Sequence, residues 1–136
     1  MSTPLLLLED DPAIAQTVVY ALSREGFDVD HVALVSEARD RLLDGGRPYA
    51  AAIFDVGLPD GNGIDLIRET ARAYPATDIM VISVFGDEEH VLASIEAGAT
   101  GYILKDSPPG ELVGLIAQLR AGGSPIRPLL ARQLLK

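Results

Sequence analysis

Short unbroken apolar runs alternate along this chain with segments whose apolar residues recur every three or four positions. The first run, Pro4 to Leu8, stops at Glu9-Asp10-Asp11. Four consecutive leucines suit a strand covered on both faces. Pro12 then suits a first helical turn, and Ile14, Val18, Ala21 and Leu22 define one helical face before Gly26 ends it. Phe27 to Val32 alternates apolar and polar, as a strand at the sheet edge does. Ser36 is placed to cap a second helix through Ala38, Leu42 and Leu43, stopped by Gly45-Gly46. Ala50 to Phe54 reads as the next strand. Asn62 caps a third helix with Ile64, Ile67 and Ala71, ending near Pro75. Ile79 to Ile82 is an all-apolar strand closed by Ser83. Asp87 starts a fourth helix with Val91, Leu92 and Ile95, ended by Gly98. Gly101 to Leu104 is a last strand running into Lys105. Pro108-Pro109 opens a fifth helix with Leu112, Leu115, Ile116 and Leu119 on one face.

Five strands alternating with five helices predict an α/β domain, with right-handed crossovers and a parallel sheet. In such a sheet the carboxyl ends of all strands lie on one edge, and that edge holds the binding crevice. Glu9, Asp10, Asp11, Asp55, Ser83 and Lys105 all stand at strand ends. Residues far apart in sequence are therefore expected to meet there: several carboxylates, a hydroxyl and an ammonium.

Composition narrows the reading. The 136 residues suit one compact domain, and 48% hydrophobic content can fill a core. Only 5% is aromatic, so that core is aliphatic. The absence of cysteine excludes a disulfide scaffold, a thiolate metal site and a cysteine nucleophile, and fits a reducing compartment. A net charge of −9 makes the chain by itself a poor binder of nucleic acid. No apolar run near the start is long enough for a membrane span, and no signal-peptide pattern is present. A cytoplasmic protein is expected. His31 and His90 are read as surface or edge residues away from the crevice.

Clustered carboxylates repel one another and require a cation, and oxygen ligands without His or Cys point to Mg²⁺ rather than zinc. An aspartate can also attack phosphorus to form an acyl phosphate. A metal, an ammonium and a hydroxyl would then neutralise the phosphoryl oxygens. Asp55, Mg²⁺, Lys105 and Ser83 can fill those roles together. The Gly-rich stretch at 57–63 is no P-loop, because the Gly-Lys-Ser/Thr ending is missing.

The pieces L-L-L-L-E-D-D, I-F-D-V-G-L-P-D-G-N-G, V-I-S-V-F-G and G-Y-I-L-K-D, in that order and spacing, resemble the receiver domain of bacterial two-component response regulators. The resemblance runs from about Leu5 to Arg120. It implies a flavodoxin-like sheet of order 2-1-3-4-5 with helices on both faces. It assigns Asp55 as phosphoacceptor and Glu9 and Asp10 as the acidic pair, with Asp10 the more direct Mg²⁺ ligand. Asp55 and the Gly57 carbonyl complete the metal set. Ser83 becomes the hydroxyl that binds the phosphoryl group and moves on activation, Lys105 its lysine partner, and Tyr102 the aromatic that follows the hydroxyl inward. Pro59 and Gly63 match the turn after the phosphorylated strand. Phe85 and Gly57 flank the site and would tune the access of hydrolytic water. Two departures stand out. Asp106 follows Lys105 where many members carry proline, and three acids rather than two follow the first strand, so Asp11 either joins the metal or faces solvent.

The implied function is a phosphorylation switch. A sensor histidine kinase donates the phosphoryl group, and the modified domain forms a homodimer. It catalyses only its own phosphotransfer and dephosphorylation and is otherwise no enzyme. Residues 1–121 are expected to form the receiver. Residues 122–136, from A-G-G-S-P, resemble the linker toward a LuxR-type helix-turn-helix output domain that is not in this sequence. DNA would be reached only through that domain. The competing readings are an aspartyl-phosphate phosphatase, a flavodoxin-like cofactor binder and a receiver-like module without phosphorylation. Gly57 lacks the proton-donating acid a phosphatase usually needs. Three acids disfavour a bound flavin phosphate without a metal, and an intact Asp55, Ser83 and Lys105 disfavour the inert module.

Overall fold

Leu5 to Leu8 have no solvent-accessible surface, because they form the middle of a sheet with helices against both faces. A computed structural model of the chain describes residues 3–45, 49–55, 63–83 and 88–104, together with Gly114. The strands are β1 (Thr3–Leu8), β2 (Phe27–Val32), β3 (Ala51–Asp55), β4 (Asp78–Ser83) and β5 (Gly101–Leu104). All pairings are parallel and the order is β2-β1-β3-β4-β5, as expected. Helices α1 (Pro12–Arg24), α2 (Val35–Arg39), α3 (Gly63–Ala73) and α4 (Glu88–Ala97) connect them. The fifth helix, the Asn62 and Asp87 starts of α3 and α4, and Asp106 lie outside the described residues.

Strand alternation divides the core in two. Leu5, Leu7, Ala51, Ile53, Met80, Ile82 and Ile103 pack with Ala15, Val18 and Leu22 of α1. Leu6, Leu8, Ala52, Phe54, Ile79 and Val81 pack with Val35 and Ala38 of α2, Leu66 and Ile67 of α3 and Ala97 of α4. Each fully buried aliphatic side chain contributes about 1.5–3 kcal/mol, which makes the sheet the rigid part of the molecule. The edge strand β2 keeps the expected mixed exposure, with Asp28 and His31 facing solvent. Charged side chains on such an edge discourage pairing with other chains.

Helix starts depart from the sequence reading in one place. Ser36 does not cap α2. Leu34 holds the extended N-cap position, and Glu37 reaches back so that its Oε1 accepts from Ala33 N (3.3 Å) and Leu34 N (3.2 Å). A carboxylate three residues in satisfies the exposed amides, which leaves Ser36 in the first turn. Beyond Arg39 the helix continues as a π-helical segment, Asp40–Asp44. Nothing in its local composition announces that change.

Two glycines end helices as the sequence suggested, for different reasons. Gly26 follows α1 with φ +92°, and a side chain there would meet nothing within 4 Å. Gly98 follows α4 with φ +129°, and a Cβ there would lie 2.6 Å from the Cβ of Ala71 on α3. Backbone strain acts at both positions, but close helix packing acts only at Gly98. We therefore expect Gly26→Ala to cost about 1 kcal/mol and Gly98→Ala about 2–3 kcal/mol. Denaturant unfolding of the two variants side by side measures the difference, and equal costs would contradict the close α3–α4 approach.

Candidate functional site

β1 stops at Leu8, just before Glu9, and β3 runs on to include Asp55, so both strands place acids on the carboxyl edge of the sheet. β3 ends at Asp55 itself, one residue later than the apolar run suggested, and Asp55 is paired in register with Ile82 of β4. Asp55 is 3% exposed and Glu9 0%. Both continue the α1-side row of their strands: 5, 7, 9 in one and 51, 53, 55 in the other. The next strand in the sheet, β4, delivers Ser83 at its tip.

One carboxylate oxygen from each of Glu9, Asp10 and Asp55 can be chosen so that all three lie within 4.8 Å of one another. Two of these acids are buried and Asp10 is exposed. Removing carboxylates from water while crowding them is costly unless positive charge joins them. The set offers only hard oxygen donors and keeps one ligand open to solvent. It therefore fits Mg²⁺, which retains several waters and takes few carboxylates.

Asp11 is the third acid, and of the two options open in the sequence it takes the second: it is exposed and lies outside the acidic trio. Its Oδ1 accepts from Ala13 N (2.9 Å) and Ile14 N (3.3 Å), so it is the N-cap of α1. Its own amide donates to Glu9 Oε2 at 3.1 Å. Asp11 thus helps hold Glu9 without belonging to the three-acid group.

Ser83 is 2% exposed, and its Oγ has no hydrogen-bond partner among the described residues. A buried hydroxyl left in that state costs free energy, unlike Ser94, whose Oγ donates to His90 O at 2.8 Å. Alternation along β4 puts Ser83 on the same face as Val81, and Val81 is paired with Tyr102. Tyr102 is half-buried and packs against the α3–α4 core cluster. Ser83 and Tyr102 are therefore diagonal neighbours on one face, a relation that allows side-chain contact between strands. Gly63, the first residue of α3, is buried close over Asp55, where a Cβ would come 3.9 Å from the Asp55 carbonyl oxygen. Lys105, Gly57, Pro59 and Phe85 lie outside the described residues.

His31 corrects the sequence reading. It is exposed and on the edge strand, as expected, but it is not away from the crevice. Its Nε2 lies 2.8 Å from the backbone oxygen of Glu9. The pairing of Leu7 with His31 brings the ring to the acidic end of β1. That register is long-range, so no local sequence signal would have found it. His90 stays on the exposed surface of α4.

Comparison with known proteins agrees with this geometry. The profile of the family described as "Response regulator receiver domain" matches residues 5–117. Over 115 residues the chain is 35% identical to the transcriptional regulatory protein CreB of Escherichia coli (strain K12), covering 83% of this chain and 48% of CreB. The chain thus spans about half the length of that curated relative. Among solved structures, a CheY-like receiver domain protein from Methanospirillum hungatei JF-1 superposes with a TM-score of 0.82 at 25% identity, covering 90% of this chain and 96% of that one. A LuxR-family two-component response regulator from Aurantimonas sp. SI85-9A1 gives 0.79 at 28% identity, with full coverage of both chains.

The division of labour among the three acids is testable. Asp11→Ala should lower stability by about 1 kcal/mol through loss of the cap and weaken Mg²⁺ by much less than Asp10→Asn does, since Asp11 offers the metal no ligand. Asp10→Asn should weaken Mg²⁺ about tenfold or more without lowering the stability of the metal-free protein. Urea unfolding and calorimetric Mg²⁺ titration read the two effects separately.

Proposed function

Because the chain belongs to the response regulator receiver domain family, we propose that it is a phosphorylation switch in which Asp55 accepts a phosphoryl group from a histidine kinase. The observation that carries this reading is the trio of Glu9, Asp10 and Asp55 gathered at the carboxyl edge, with Asp55 at the end of a buried strand. Residues 1–121 would be the receiver. Residues 122–136 would lead toward a DNA-binding output domain of LuxR type, a reading that the similarity to a LuxR-family regulator supports.

In the proposed transfer an Asp55 carboxylate oxygen forms a bond to phosphorus. The bond from phosphorus to the donor's imidazole nitrogen breaks, and its electron pair stays on that nitrogen. Glu9, Asp10, Asp55 and the Gly57 carbonyl would hold Mg²⁺, which when bound supplies positive charge to the phosphoryl oxygens. Burial of Asp55 on a rigid strand keeps its carboxylate positioned and limits its reorganisation. Ser83 would donate its unpartnered hydroxyl to a phosphoryl oxygen, and Lys105 would supply an ammonium to another. The same chain would support its own dephosphorylation without acting on other substrates.

The output follows from the face shared by Ser83 and Tyr102. Phosphorylation adds about −1.5 to −2 charges and strong acceptors at the strand tips. A hydroxyl drawn toward that charge leaves space on the α4 side of the sheet, and Tyr102 would move into it. Both conformations pre-exist, and modification shifts their populations. A homodimer would form on the altered surface.

Incubation with Mg²⁺ and a small acyl or amido phosphate, followed by intact mass measurement, tests the reading. The parent should gain one phosphoryl group and Asp55→Asn none. Steady turnover of a phosphomonoester without any adduct would instead make the protein a phosphatase. Ser83→Ala provides a second check. It should leave the stability of the unmodified protein unchanged or raise it by up to about 1 kcal/mol, since no hydrogen bond is lost. It should slow phosphorylation roughly tenfold to a hundredfold, the worth of one hydrogen bond to a charged group. A Ser83→Ala protein that is phosphorylated at the parent rate would remove the hydroxyl from the transfer.

A further inference from the structure

We infer that His31 is a positioning residue for the acidic site, acting through the peptide group that joins Glu9 to Asp10. The inference rests on the divalent-cation reading of Glu9, Asp10 and Asp55. It starts from an interruption in the β1–β2 ladder. Thr3 N donates to Gly26 O and, six residues on, Glu9 N donates to Val32 O at 3.1 Å. In a parallel ladder of that phase, the Glu9 carbonyl would next accept from the amide of Leu34. That amide is already taken, because it donates to Glu37 Oε1 at the start of α2. Capping α2 therefore turns the Leu34 amide away from the Glu9 carbonyl.

His31 meets that carbonyl instead of the Leu34 amide. Its Nε2 is 2.8 Å from Glu9 O, and a carbonyl oxygen can only accept. Nε2 must therefore carry the proton and donate. The ring lies on the α1 side of β2, in the same alternating row as Phe27 and Val29, which pack against the α1-side core. The two peptide groups flanking Glu9 are thus both tied to β2: the Glu9 amide by Val32 O and the Glu9 carbonyl by His31.

The consequence falls on Asp10. Glu9 and Asp55 are fixed by burial, but Asp10 is exposed, so burial does not hold it. The Glu9 carbonyl and the Asp10 amide share one rigid peptide plane. Fixing that carbonyl fixes the direction from which the Asp10 side chain leaves the chain. On its other side Asp10 is bounded by Asp11, which is tied to α1 as its N-cap. His31 and Asp11 therefore clamp the one acid of the trio that burial does not orient. An outer residue that orients a metal-binding carboxylate typically affects metal affinity about tenfold to a hundredfold.

Calorimetric Mg²⁺ titration of the whole chain tests this, with His31→Ala, His31→Gln, Asp10→Asn and the His31→Ala/Asp10→Asn double variant. The expected result is that His31→Ala weakens Mg²⁺ about tenfold, while its thermal midpoint without metal stays within a degree or two of the parent. His31→Gln, whose side-chain amide can also donate, should recover most of the affinity. In the Asp10→Asn background His31→Ala should have little further effect, because the residue it orients no longer binds metal. Phosphorylation by a small donor should need more Mg²⁺ in His31→Ala yet reach the parent rate at saturation. Parent-like affinity of His31→Ala, failure of His31→Gln to rescue, or full additivity with Asp10→Asn would each overturn the inference. A parent chain that binds no Mg²⁺ would overturn the divalent-cation reading itself, and this inference with it.

Discussion

Parallel strand pairing brings every strand's carboxyl end to one edge, and the candidate site depends on that constraint. Hydrogen bonding in register ties Leu5 through Leu8 to Ala51 through Phe54, and Ala51 through Asp55 to residues 78–82. Once those ladders close, the residue after each apolar run has no choice of location. Glu9 and Asp55 must come together however strongly they repel. The apolar core on the two faces of the sheet supplies the free energy that holds them there.

This arrangement concentrates unfavourable electrostatics at a single edge. Two carboxylates are buried side by side with a third at the rim, and a buried hydroxyl goes without a partner among the described residues. Elsewhere the buried hydroxyls Thr77, Ser94 and Thr100 bond to backbone oxygens, while Thr70 in α3 also goes without a partner among the described residues. A departure from full satisfaction that falls on the ligand-binding edge of an α/β sheet suits a site that gains charge and hydrogen-bond partners during its working cycle. The same logic separates the three consecutive acids. Asp11 is spent on starting α1, which leaves Glu9 and Asp10 for the site.

Most of the fold was legible because its signals are local. Unbroken aliphatic runs mark the central strands, alternation marks the edge strand, and glycines at Gly26 and Gly98 mark helix ends. One error was also local, with a competitor that the residue pattern hides. Ser36 looked like a cap, but Glu37 reaches back across the turn and satisfies those amides first. Asp55 stands at the tip of its strand, as its place after the apolar run indicated, and is paired there with Ile82.

Strand polarity and the residues at strand ends were enough to predict that Asp55, Glu9, Asp10 and Ser83 share an edge, since order along a parallel sheet follows from the chain. Tertiary structure alone decided which acid caps α1, which hydroxyl stays unpartnered, and what His31 touches. The last of these depends on register between segments more than twenty residues apart. His31 reaches Glu9 only because Leu7 pairs with it and because the α2 cap has claimed the Leu34 amide. A competition for one carbonyl oxygen is settled by geometry in three dimensions, and no one-dimensional pattern encodes it.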